Sequence, residues 1–200
     1  MVVKGNVFIQ RLDGKTVKAK LNSALYPGES VTSEANSKAK IVMSDRNIIN
    51  VLPNTKFVVE KYTNEPNDKT VSIKLDSGKI RTDVEQKYDG KSSTFEIRTT
   101  VAAMGVRGTQ LVVSHNTATN TSEVVTLTGE VYVQRVGKLS SALGFGQNGE
   151  LIVKTQEMLQ IKHDAKTAKV ELMNMKAFEA LKSETDVTAE VAKPSGGVRN

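Results

Sequence analysis

Short apolar-alternating runs, each ended by a turn signal, recur from residue 5 to about residue 172. Few structures besides strands accommodate that pattern. Val71-Ser72-Ile73-Lys74-Leu75 alternates strictly, and Val17-Lys18-Ala19-Lys20-Leu21 and Ala39-Lys40-Ile41-Val42-Met43 do so nearly as well. The breaks fall at Asp13-Gly14, Pro27-Gly28, Asn64 to Asp68, Asp89-Gly90, His115 to Ser122, Asn148-Gly149 and His163-Asp164. Strands this short and this evenly broken predict an all-β fold. Four runs open with the same move: a polar residue, glycine, a polar residue, then apolar residues. They begin Lys4-Gly5-Asn6-Val7, Ser77-Gly78-Lys79-Ile80, Thr128-Gly129-Glu130-Val131 and Asn148-Gly149-Glu150-Leu151. The glycines are 73, 51 and 20 residues apart, so no fixed-period repeat exists. Coils of unequal length in one irregular, curved β-solenoid-like structure fit this pattern, and a β-sandwich is the alternative.

The pattern changes near residue 172. Met175, Phe178 and Leu181 stand at i, i+3 and i+6, with Asn174 placed to cap them, which predicts one short C-terminal helix over 174–184. From Thr185 onward large apolar residues are lacking, and Lys193-Pro194-Ser195-Gly196-Gly197 reads as a mobile tail. The expected organisation is a β-domain over 1–172 and a helix with tail over 173–200.

Composition narrows the function. Only 38% of the 200 residues are hydrophobic, 4% are aromatic, and tryptophan is absent. The core must therefore come from Val, Ile and Leu in thin strand layers. With no cysteine, disulfides and thiolate metal sites are excluded. The net charge is +6, and the first 50 residues carry eight basic against four acidic side chains, or +4 of it. Lys18 with Lys20, and Lys38 with Lys40, sit at strand spacing, so each pair is expected on one sheet face as a solvated surface or a site for an anionic partner. Nucleic acid is not expected, because no aromatics are interleaved with the lysines to stack bases. No run approaches the length of a membrane span. The start lacks the apolar core of a signal peptide, and its abrupt entry into a strand suits a mature or trimmed chain, with a cytosolic start as the alternative.

Between Phe95 and Val113 two alternating runs flank Gly105-Val106-Arg107-Gly108-Thr109. An arginine between glycines in an apolar run has two readings. It is thrown into solvent by a turn, or its guanidinium folds back to bond loop carbonyls or a carboxylate. The second predicts a shielded Arg107.

This stretch, with its T-x-x-A-x-x-x-V-R-G-T pattern, resembles the signature of the FecR domain family. So do Gly5-Asn6-Val7-Phe8-Ile9, Leu25 to Thr32 with Glu29 in place of the usual Asp, Ala39 to Asp45, Val51 to Phe57, Leu75 to Ile80 and Leu127 to Val131. Departures are Arg46-Asn47 at a usual glycine, where Asn47 tolerates positive φ, Thr100 at a usual proline, and Thr155-Gln156 at a usual late glycine-glutamine. The resemblance implies a curved solenoid-like extracytoplasmic domain, as in ferric-citrate-type transmembrane regulators and stand-alone bacterial envelope proteins. Gly105, Arg107, Gly108 and Thr109 are its signature residues, with a structural role expected. In full-length regulators a cytoplasmic segment and a membrane helix precede this domain.

Catalytic motifs fail on inspection. Gly144-Phe145-Gly146-Gln147-Asn148-Gly149 matches G-x-G-x-x-G but leads into the strand-like Leu151-Ile152-Val153, whereas a dinucleotide loop needs a helix there. Gly90-Lys91-Ser92 ends like a P-loop, yet Glu85 occupies its first glycine position. His115 and His163 are expected in exposed turns, and two histidines without cysteine build no metal cage. Carboxylate pairs such as Asp76 with Asp83, or Glu96 with Asp45, are not selected by any motif.

No catalytic residue, cofactor or metal is therefore expected. The leading expectation is a non-enzymatic periplasmic or surface module that recognises another envelope protein. The alternative is a stand-alone scaffold, adhesion or carbohydrate-binding protein. The first strand, with Val7 and Ile9, is the candidate edge for an added partner strand, and Lys18 and Lys20 are candidates for steering an acidic partner.

Overall fold

The computed structural model describes residues 1–66, 68–85, 93–136, 150–164 and 168–188. The expected mobile tail, the Gly144–Gly149 motif and Gly90-Lys91-Ser92 lie outside these residues, apart from the opening of the tail at 185–188. Sixteen strands and one helix are present among them: β1 (Val2–Lys4), β2 (Val7–Gln10), β3 (Thr16–Lys18), β4 (Ser30–Ser33), β5 (Lys38–Val42), β6 (Ile48–Val51), β7 (Lys56–Glu65), β8 (Asp68–Asp83), β9 (Ser93–Arg98), β10 (Ala102–Val106), β11 (Gln110–Asn116), β12 (Thr121–Thr128), β13 (Glu130–Arg135), β14 (Glu150–Lys154), β15 (Glu157–Lys162), β16 (Lys169–Leu172) and α1 (Met175–Thr185). The all-β class with a single C-terminal helix is as the sequence predicts.

The strands form two layers. One runs β1-β5-β6-β8-β11-β12-β15-β16. The other runs β3-β2-β4-β7-β8-β9-β10-β13-β14. The long β8 belongs to both, with Asp68–Ser77 in the second layer and Gly78–Asp83 in the first. Inward side chains of both layers, among them Ile9, Val31, Ile49, Phe57, Ile73, Ile80, Leu111 and Val133, meet in one hydrophobic cluster.

Both alternatives in the sequence reading are visible here. In cross-section the molecule is a sandwich. Along the chain it advances as a solenoid does, because the chain lays a hairpin in one layer, crosses, and lays the next in the other. Neighbours within a layer are consequently antiparallel, and β8 with β9 is the parallel exception among the described pairings.

Seven crossings lie within the described residues, and each contains a residue with positive φ: Gly5, Asn36, Asn54, Gly78, Gly108, Gly129 and Gln156. Successive corners stack closely. At Gly78 (φ +90°) a Cβ would lie 2.5 Å from the Asn54 carbonyl oxygen and from Thr55 Cα. Thr55 Oγ1 in turn accepts from Lys79 N at 2.9 Å and reaches the Lys79 carbonyl at 3.0 Å. Only glycine supplies both the left-handed backbone and the missing side chain there. Three of the four glycine openings noted in the sequence are thus corners between layers, and the fourth lies outside the described residues.

The helix starts where expected, with Asn174 Oδ1 accepting from Lys176 N at 2.9 Å. It lies on the outer face of the first layer, where Phe178 packs against Val112, Val125 and Leu127. Arg81 Nη1 donates to the Lys182 carbonyl at 3.2 Å. Beyond the helix, Val187 joins Leu52 and Val2.

Candidate functional site

The signature turn is the corner from β10 to β11. Gly105 lies within β10 opposite Tyr132 of β13. Thr109 is completely buried, and its hydroxyl lies 3.1 Å from the Arg107 carbonyl and 3.0 Å from the Glu130 carbonyl. The second contact ties this corner to the next one, at Gly129, whose Cβ position would come within 3.1 Å of Thr109 Oγ1. Gly108 supplies φ +60°. Arg107 is exposed, which corrects the expectation of a shielded guanidinium. The corner turns its outer side to water just where the chain leaves one layer for the other, so the charge stays solvated instead of losing its hydration.

The first long strand is not an edge. The turn at Asp13-Gly14 folds β3 back onto β2, and β4 takes the other side. Val7 and Ile9 are core residues with no exposed surface, so neither is available for strand addition. The edge of this layer is β3. Lys18 lies on it, exposed, with Nζ 2.6 Å from Asn6 Oδ1. Lys20 is also exposed, but it follows the strand's end, so the pair shares no strand face.

The two histidines differ. His163 is exposed in its turn, as expected. His115 is not: it lies in β11, 3% exposed. Its Nδ1 is 3.0 Å from Ser122 Oγ and its Nε2 is 3.1 Å from Thr100 Oγ1. Ser122 Oγ donates to Thr99 Oγ1 at 2.8 Å, and Thr100 Oγ1 donates to Asn120 Oδ1 at 2.7 Å. Burial pushes the imidazole pKa below its ordinary 6.5, against weaker upward pulls from the Thr121 backbone and Asp76. The network joins the β9–β10 turn of one layer to the β11–β12 turn of the other. Nearby, Arg135 of β13 donates to the carbonyls of Lys162 and His163 at the end of β15. At this end of the later strands no corner among the described residues connects the layers, and polar side chains do so instead.

The opposite end of the early strands carries its own polar cluster. Tyr62 Oη lies 2.6 Å from Ser44 Oγ and accepts from Asp45 N at 3.1 Å. Asp45 closes the β5–β6 turn, taking Asn47 N at 3.1 Å and Asn47 Nδ2 at 2.8 Å. The positive φ in that turn falls on Arg46, not on Asn47 as the sequence suggested. Beside Tyr62 a cleft of about 380 Å³ opens between the layers and reaches Ile41, Ile49 and Val59.

Asp76 is paired with Lys74, Asp83 with Arg81 and Glu96 with Arg98. Among the described residues no group of three or more His, Cys, Asp or Glu is arranged to hold a metal. No helix among them is long and apolar enough to cross a membrane.

Sequence comparison matches residues 29–132 to the family model described as FecR protein. No curated protein matches the chain significantly. Two crystal structures of a protein from Parabacteroides distasonis ATCC 8503, described as an anti-sigma factor, have similar folds. Their TM-scores are 0.59 and 0.58, each at 13% identity over 76% of this chain. The matched region spans 63% and 64% of those chains, less than two thirds of their length. At that identity the likeness is one of fold.

Proposed function

The chain belongs to the FecR protein family, and from that premise we propose that it is a non-enzymatic, extracytoplasmic signalling module of the bacterial envelope that acts by recognising another envelope protein. The match over residues 29–132 carries this reading. It runs from the entry of β4 into β13 and includes the signature corner with Thr109. The fold shared with a protein described as an anti-sigma factor supports a regulatory setting. The buried polar groups are consistent with a role in recognition. His115 contacts two hydroxyls, those of Ser122 and Thr100, and its imidazole and Ser122 are sealed inside the core. A nucleophile must meet its substrate.

Recognition is tested by photo-cross-linking in intact cells. A cross-linking amino acid is placed singly at exposed positions on each layer, including Arg107, Lys18 and Lys20. A discrete adduct from a contiguous subset of positions is expected. Adducts of equal yield from every position, or turnover of an envelope polymer by the purified chain, would overturn the reading.

A further inference from the structure

The cleft beside Tyr62 goes beyond protein recognition. We propose that it binds a small anionic amphiphile, with the alkyl chain between the layers and the carboxylate or phosphate head at the rim. Its walls are the inner faces of both layers: Ile41 and Ile49 from one, Val59 from the other, with Leu25 and Pro27 of the β3–β4 loop as a roof. All but Pro27 belong to the main hydrophobic cluster or pack against it, so the cleft opens directly onto the core. A volume of about 380 Å³ falls in the ~300–1,000 Å³ range of small-ligand pockets. One inserted partner side chain would leave most of it empty, whereas a medium-length alkyl chain fills it.

The rim is chemically different from the interior. The hydroxyls of Tyr62 and Ser44 meet there, within hydrogen-bond distance of each other. Arg46, next but one to Ser44, and Lys20, two residues before the lining residue Asn22, are both exposed. Neither side chain has an ion-pair partner among the described residues. Glu29, the nearest acid on the roof loop, is already held by Arg11 at 2.8 Å, and Asp45 is buried in its turn. Exposed cations that close to the lining residues in sequence favour a ligand with a negative head. Exposed apolar side chains occur at the cleft and beside its lining residues in sequence: Val42 lines it at 55% exposure, and Leu21 and Tyr26 of the roof loop are 68% and 58% exposed. Such clustering marks a binding surface. Arg46 adds a further sign, since it holds a left-handed φ of +70° that a larger side chain rarely adopts.

The probes are dodecanoate and dodecyltrimethylammonium, both below their micelle concentrations, and phosphatidylglycerol vesicles. Methyl-labelled methionine reports on Met43 and Met1, which line the cleft. Dodecanoate is expected to shift the Met43 methyl resonance saturably at one site, and the cationic probe is not. Replacing Val42 by Trp blocks the mouth from an exposed position and abolishes the shift. Lys20→Glu with Arg46→Glu weakens binding about tenfold, equivalent to ~1.4 kcal/mol. Vesicle co-sedimentation that Val42→Trp abolishes would identify a membrane lipid as the source, and dodecanoate binding alone a free amphiphile. The proposal is overturned if dodecanoate leaves the wild-type Met43 resonance unmoved, if the cationic probe binds equally well, or if folded Val42→Trp binds as before. None of these results bears on the cross-linking test of protein recognition.

Discussion

Thr109→Val removes one hydroxyl from a fully buried site and keeps the shape of the side chain. In the folded chain that hydroxyl lies 3.0 Å from the Glu130 carbonyl and 3.1 Å from the Arg107 carbonyl. A net hydrogen bond contributes about 0.5–1.5 kcal/mol, and leaving a buried acceptor without its donor costs about 1–3 kcal/mol. The two estimates overlap in describing one lost contact, so the expected loss is about 1–3 kcal/mol. For a domain of this size that is a fall in Tm of roughly 3–9 °C. Arg107→Ala is the companion variant. Its side chain is exposed, so the midpoint should not move measurably. Thermal unfolding followed by circular dichroism compares them side by side. A Thr109→Val protein as stable as wild type, or an Arg107→Ala protein that melts well below it, would refute the assignment of the signature's structural role to the threonine.

Gly78→Ala should be far more damaging than Gly108→Ala: both have positive φ, but a Cβ at 78 collides with the Asn54–Thr55 backbone, whereas at 108 nothing lies within 4 Å. Soluble yield and urea midpoints separate them, with a cost of about 1 kcal/mol expected for Gly108→Ala. Asn50→Leu should stabilise by about 1–3 kcal/mol in urea titration, since both amide atoms of Asn50 are buried without a hydrogen-bond partner. His115 has a folded-state pKa below its unfolded value, so the unfolded chain binds the extra proton first. Its contribution to stability is fully present above about pH 6.5 and declines as the pH falls below it towards the folded-state value. Denaturant midpoints between pH 7.5 and 5 should show that decline, and His115→Gln should flatten it.

Local features of the fold were more legible in the sequence than its spatial arrangement. Alternation in Val71–Leu75 and the spacing of Met175, Phe178 and Leu181 are local properties, and both elements form as read. The glycines at 5, 78 and 129 were recognisable as strand openings. Their role as corners was not, because a period of two looks the same in either layer. Val7 and Ile9 were misplaced for a related reason: chain order does not set strand order, and the β3 hairpin covers the edge that β2 would otherwise present. The polar neighbours of His115 point to a turn, whereas it lies in β11. Its parity with Leu111 and Val113, both buried, was the available signal that it faces inward. Tyr62, Thr100 and Arg135 act through partners distant in sequence, and nothing local marks them.

The path of the chain also determines how the molecule resists being pulled apart. Strands laid down in order from one side of each layer to the other can be stripped in the same order, each rupture loading only a few hydrogen bonds at a time. The segment after β16 changes this. It crosses the face of the first layer from Val112 and Val125 past Arg81 to Leu52 and Val2, and Lys40 Nζ meets Thr188 Oγ1 at 3.0 Å. The last described residues thereby fasten the first strand, and tension applied at that strand is shared with a segment more than 170 residues away. Unravelling from that side must first release the helical strap, so the strap, rather than any single strand, sets the mechanical threshold.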